Sequence, residues 1–235
     1  MIGILSTLGH PLLPGYLASL KAFGLSDYAV ICDSRGLSDR QQQLFMERLG
    51  GWNAANHFNY NLEEDAWATP FHFVSSHNSA NSADLINRLA CSFLLNAGTP
   101  RKLDLSILNS TKHGVLNVHP GKLPEYRGKN CPEWAVFHGE RVVLTAHIME
   151  SEYDEGDVLG VDDVDWRSHC SYIEFRKQVH LKSLELAASV SLALSRNTSK
   201  VLYRSKNLAS VCGIRDAMDD ETLKIVKSRF PSSSS

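Results

Sequence analysis

The chain lacks several things that would settle its class early. It has no C-x-x-C pair. Its five cysteines, at 32, 91, 131, 170 and 212, are spaced about 40 residues apart and odd in number. That excludes a dense disulfide scaffold and the usual zinc spacings, and leaves buried free thiols in a reducing compartment as the expectation. It has no surplus of positive charge: 24 Lys plus Arg stand against 26 Asp plus Glu, a formal net charge of −2. A protein that lives on nucleic acid carries the opposite balance, so no nucleic-acid partner is expected. No apolar run is long enough to span a membrane. The opening Met1–Ser6 has no basic stretch before it, and Gly9, Pro11, Pro14 and Gly15 interrupt the apolar residues after it. Neither a signal peptide nor a membrane partner is expected, and the location implied is the cytoplasm. The turn after the first apolar run, Ser6-Thr7-Leu8-Gly9-His10-Pro11, is neither G-x-G-x-x-G nor a Walker loop, and no G-x-S-x-G occurs anywhere.

What is present is a pattern. With 235 residues, 43% hydrophobic and 21% charged, the chain can bury a core without staples. Short apolar runs at 2–6, 28–32, 71–75, 91–96 and 115–119 read as strands. Helix-length amphipathic stretches at 14–23, 40–49 and 82–90 lie between them. Nearly all-apolar strands alternating with helices require a parallel sheet covered on both faces, so the fold class is α/β: a Rossmann-like, open, mostly parallel sheet with helices on both faces. Two further strands are expected at 142–149 and 157–161, then a long helix over 172–194 with Leu181, Leu184, Ala188 and Ser191 on one face, and a short acid-capped helix at 219–228. Residues 198–210 are polar and mixed. The expected organisation is one domain over 1–195 and a short C-terminal extension over 196–235, its serine tail partly disordered.

The chemistry concentrates in 114–128. An apolar strand delivers Asn117 and His119 two residues apart, so both side chains leave one face. Pro120 stops the ladder, and Gly121, Pro124 and Gly128 shape the next loop. Carboxyl ends of parallel strands are where open sheets place ligands. The plainer alternative, a histidine and an asparagine that merely satisfy hydrogen bonds in the packing, stays open on these residues alone. A second strand, from Thr145 through His147, runs into an acidic turn with Asp154 37 residues after Asn117. His147 supports Asp154 or packs the core. Glu150, Glu152 and Glu155 read as a solvated face apart from their main chain, and Trp134 packs a helix rather than stacking a ligand.

Three segments in order, NAGTPRKL (96–103), LNVHPGKLPEYRG (116–128) and HIMESEYDEGDVL (147–159), resemble the folate-dependent formyltransferases, and the compact sugar N-formyltransferase branch in particular. The resemblance covers about residues 1–160 and implies the formyltransferase-type fold. It implies N10-formyltetrahydrofolate as co-substrate with no metal, and a catalytic trio of Asn117, His119 and Asp154. The pterin would meet the main chain around Thr99, Arg101 and Leu103 and around Glu150, Ser151 and Glu152. Arg101 is either a ligand contact or a solvated loop cation. The acceptor implied is a small-molecule primary amine on an amino sugar, in particular a nucleotide-linked one. Alternatives are glycinamide ribonucleotide, whose enzymes have a Gly/Ser-rich first loop that Thr7–Pro11 departs from, and water, as in formyltetrahydrofolate hydrolase. The hydrolases usually carry a regulatory domain in front, whereas this chain begins at the catalytic strand. Methionyl-tRNA as acceptor is disfavoured by charge and by the few residues after 195. A homodimer is left open.

Overall fold

The computed structural model describes residues 1–58, 69–99, 101–169, 171–205 and 212–231. Pro100, Cys170 and the Ser232–Ser235 tail, whose disorder the sequence suggests, lie outside the described residues, as does part of 198–210. The chain forms two compact units, residues 1–117 with 187–199 and residues 118–186 with 200–235.

The first unit opens with β1 (Ile2–Thr7), buried at every position, then α1 (Leu13–Ala22) and β2 (Tyr28–Asp33). Helix α2 (Asp39–Leu49) starts where Ser38 and Gln41 cap each other's backbone N–H, and it ends on Gly50 with φ of 56°. A single turn, α3 (Ala54–His57), precedes β3 (Phe71–Val74). Then come α4 (Ala80–Arg88), begun by the Ser79 cap on Ser82, β4 (Phe93–Asn96), the one-turn α5 (Leu105–Leu108) and β5 (Val115–His119). Pairing is parallel throughout, in the order β3–β2–β1–β4–β5. The order reverses beside β1. Right-handed crossovers therefore place α1 and α2 on one face and α4 and α5 on the other. The expected doubly covered parallel sheet is what these strands build.

The chain passes from the first unit to the second within β5, between Asn117 and Val118. The second unit holds β6 (Arg127–Gly128), α6 (Cys131–His138), β7 (Val142–Ile148), β8 (Asp157–Val164), a 3-10 turn at Trp166–Ser168, β9 (Tyr203–Arg204), β10 (Ile214–Arg215) and α8 (Asp220–Ser228). The long α7 (Tyr172–Ser195) contributes its first four turns here and its last residues to the first unit. Strands β7, β8 and β9 pair antiparallel, while β10 lies parallel to β6. The core gathers around Phe175, stacked on Phe230 with centroids 5.2 Å apart, with Trp166 edge-on to the Phe230 ring. Each fully buried ring contributes about 2–3 kcal/mol. A buried ion pair crosses from α6 to α7: Arg176 Nη1 lies 3.3 Å from Glu133 Oε1, which also accepts the Tyr172 hydroxyl at 2.7 Å.

Element boundaries moved where caps decide them. β4 starts at Phe93 rather than Cys91, because Ala90 takes a positive φ of 49° to leave α4. β8 continues past Val161 to Val164, held by pairing to β7. Cys32, Cys91 and Cys131 are buried free thiols, and Cys212 is half-buried. No described helix is long and apolar enough to cross a membrane.

Candidate active site

In the first unit the site residues hang on one amide relay. Asn96 ends β4 and its Oδ1 accepts from the backbone N–H of Gly98 (3.1 Å) and Thr99 (2.8 Å). Those two donors settle which end of the Asn96 amide is oxygen. Its Nδ2 then donates to Asn117 Oδ1 at 3.0 Å, which leaves the nitrogen of Asn117 as that amide's donating end. Asn117 is thus oriented as a donor by the loop that begins at Gly98. Sequence reasoning missed this use of Asn96. The register pairs Leu95 with Leu116, so Asn96 at the end of β4 and Asn117 within β5 lie side by side on neighbouring strands, and the strand order alone would have exposed it.

The 96–103 loop is otherwise well tied. Arg101 Nη1 lies 2.7 Å from Asp33 Oδ2, a carboxylate 1% exposed at the end of β2 that also accepts from the Arg35 backbone. Arg101 is therefore ion-paired while its side chain stays exposed to solvent. The Leu103 side chain is buried and leaves only its main chain to a ligand, and Thr99 is half-buried. Gly98 has φ of +97°, and an added Cβ would fall within the His10 ring. Gly98→Ala is expected to lower stability by about 3 kcal/mol, read as a fall in the urea midpoint, because a left-handed backbone and an overlap add.

In the second unit the structure brings His119 and Asp154 together. His119 is 6% exposed. Its Nδ1 lies 3.2 Å from Asp154 Oδ1, and its Nε2–H donates to the Tyr126 carbonyl at 2.7 Å. Oxygen acceptors thus face both ring nitrogens. Asp154 itself sits at φ of 55°, a left-handed conformation that Asp tolerates better than most residues. Its other oxygen accepts from the Gly128 N–H at 2.8 Å. Gly128, at φ of +104°, has no room for a Cβ because the Arg215 backbone lies against it.

The turn that carries Asp154 is clamped from both sides. Arg127, 5% exposed, donates from Nε (3.1 Å) and Nη2 (2.7 Å) to the Tyr153 carbonyl, and Nη2 lies 3.0 Å from Glu155 Oε1. Glu155 is thus not part of a solvated face. Its side chain is 13% exposed because its partner is a buried guanidinium. Ser151 and Glu152 are exposed and Glu150 is half-buried. His147, 1% exposed, donates from Nδ1 to the Glu155 carbonyl at 3.0 Å, so it both packs the core and supports the turn. Trp134 lies on α6, edge-on to Phe137 and stacked on His138, as expected of a packing ring. Beside Asp154, the Cys131 thiol is pushed up to about 12, by burial first and then by that carboxylate's charge.

Three buried histidines, His10, His77 and His147, make folding sensitive to acid, each lowered first by burial. Burial lowers His10 to about 4. Burial, then the charge of His119, lowers His147. His10 and His147 are neutral in the fold, while the unfolded chain binds protons near 6.5. Their stabilisation is complete above about 6.5 and is lost as pH falls toward 4. Between about pH 7.5 and 5.0, His10 alone is expected to remove about 2 kcal/mol, and His77 and His147 act with the same sign. Urea midpoints at the two pH values measure it, and His10→Gln should shrink the difference.

The first unit is a parallel α/β sheet of doubly wound order, and its strand β5 ends on His119, which is paired with a carboxylate. The family model described as formyl transferase matches residues 29–187, more than half of the chain. The chain belongs to the formyl transferase family. Methionyl-tRNA formyltransferase of Geobacter sulfurreducens is 35% identical over 79 residues, 33% of this chain and 25% of that protein. That of Alkaliphilus oremlandii is 27% identical over 133 residues, 52% and 43% respectively. The matches thus span less than half the length of these relatives. Among solved structures, a sugar N-formyltransferase from Shewanella sp. superposes with a TM-score of 0.61 at 14% identity, covering 97% of this chain and 87% of that one. Glycinamide ribonucleotide transformylase 1 of Symbiobacterium toebii gives 0.58 at 15%, covering 84% and 89%. A formyltetrahydrofolate deformylase from Pseudomonas syringae gives 0.56 at 15%, covering 83% and 61%. At such identities these structures speak for the fold.

Proposed function

We propose that residues 1–195 carry an N-formyltransferase that moves a formyl group from N10-formyltetrahydrofolate to a primary amine on an amino sugar, in particular a nucleotide-linked one. The observation that carries the reading is the His119–Asp154 pair at the end of β5, two residues beyond an asparagine whose amide nitrogen is set to donate. It works on small molecules in the cytoplasm, without nucleic acid or membrane.

The donor molecule supplies an electrophilic formyl carbon whose oxygen gains negative charge as an amine attacks. Asn117 offers its N–H to that oxygen, and a preorganised donor of this kind is worth about 3–4 kcal/mol. His119 offers Nε2–H, which is turned to Tyr126 here and has to be shared or redirected when substrate arrives. Asp154 holds the ring through Nδ1, so the pair can take the proton that the amine sheds as its N–C bond forms and pass it to N10 of the departing tetrahydrofolate as the N10–formyl bond breaks. No covalent step is required of the chain. The residues proposed to meet the pterin fit that task through their main chain. The loop at Thr99, Arg101 and Leu103 is pre-shaped by Asn96 and Asp33, and the turn at Glu150, Ser151 and Glu152 leads into one pinned by Arg127 and His147.

The test supplies N10-formyltetrahydrofolate with a panel of amino-sugar nucleotides, glycinamide ribonucleotide and no acceptor, and monitors release of tetrahydrofolate. Release that depends on an amino sugar supports the proposal. Release without any amine assigns hydrolysis instead, and release with glycinamide ribonucleotide alone moves the acceptor to that class. No release under any condition sinks the reading.

A further inference from the structure

Resting on that reading of the His119–Asp154 pair, we propose that Arg215 is a positioning residue for the pair, acting from a C-terminal strand beyond the residues that the family model matches. Both acceptors of the His119 ring are held by the stretch 126–128. Tyr126 provides the carbonyl for Nε2, and Gly128 provides the N–H that anchors Asp154. That stretch is in turn held by β10. Ile214 pairs with Arg127 and Arg215 with Gly128 in a parallel ladder, and Lys129 N–H donates to the Arg215 carbonyl at 3.1 Å. The approach is so close that only a glycine fits at 128.

The side chain of Arg215 adds a second hold. Its guanidinium carbon stands 4.4 Å from the centroid of the Tyr126 ring and 5.9 Å from that of Trp134. Its Nε is buried with no hydrogen-bond partner among the described residues, so the grip comes from the face of the guanidinium on the ring and not from a directed hydrogen bond. The far end of Tyr126 is tied to α6 through its hydroxyl and His138 Nδ1 at 3.0 Å. Tyr126 is therefore pressed on its face and pinned at its tip, which sets where its carbonyl meets His119. Arg215 is half-buried and touches no reacting atom; it acts through Tyr126 and Gly128.

The test uses the full chain and two readouts: kcat and KM for donor and amine, and the ring 1H–15N resonances of His119, assigned by their loss in His119→Gln. Arg215→Ala is expected to fold with a near-normal melting temperature, to shift the His119 ring signals, and to lower kcat by about tenfold with both KM values within about twofold. Arg215→Lys should restore part of the loss, since it keeps the cation and gives up the flat stack. Tyr126→Leu should reproduce the defect, and Arg215→Ala added to it should cost nothing more, because coupled residues are not additive. Unmoved His119 signals in a folded variant would overturn the proposal. So would additive losses, or a raised KM with unchanged kcat, which would make Arg215 a substrate contact. Should Arg215→Ala not fold, Arg215→Lys decides by the same signals. If the wild-type chain transfers formyl to no amine, the functional reading falls while the resonance shifts still decide the positioning role.

Discussion

His119→Ala is expected to lower turnover by about 100-fold or more while leaving the fold intact, and Asn117→Ala to do the same. On the proposed function each change removes one donor from the oxygen on which charge develops, and each such donor is worth about 3–4 kcal/mol. Neither side chain carries a strand: β5 is held by its backbone and by Val115, Leu116 and Val118, which are buried. The loss should fall on kcat more than on KM, because the charge exists only in transit. Steady-state kinetics with the best acceptor of the panel measures it. Asp154→Asn should keep the Gly128 contact, since its amide oxygen still accepts, and lose the charge that pairs with the ring. Near-normal turnover in that variant would remove the proton-handling role from Asp154.

Arg127→Ala is expected to be the most destabilising single change at the site, by about 3–5 kcal/mol. Removing one member of a buried pair leaves Glu155 with an unmatched charge, and here the Tyr153 carbonyl loses both guanidinium donors as well. Urea denaturation would show a lower midpoint and turnover would collapse with it. Arg127→Lys should fall between, because an ammonium can meet Glu155 or Tyr153 but not fork across both. A wild-type midpoint for Arg127→Ala would mean that the turn holds Asp154 unaided.

The physics of each element decides how much of it was legible in the sequence. β1 is legible to within one residue because a strand buried at every position writes itself as a nearly apolar run. Helix starts drifted by one or two residues because caps such as Ser38 and Ser79 lie outside the periodic stretch. The elements α3, α5, β6, β9 and β10 are two to four residues long and carry no period to detect. Asn117, His119 and Asp154 stood out through motif and order. Arg127 and Glu155 did not, since an ion pair between residues so far apart in the chain exists only once two segments have met, and an acid amid other acids looks solvated. Asn96 lay within a quoted motif, yet its task depends on which strand neighbours β5.

The left-handed backbone of Asp154 governs how a saturation library at that codon should be interpreted. Asparagine and glycine accept the conformation, but only asparagine keeps an oxygen for the Gly128 N–H, so that clone reports on chemistry alone. Valine, isoleucine or threonine would distort the turn before any question of acidity arose, and dead clones of that kind would overstate how much the carboxylate itself accomplishes.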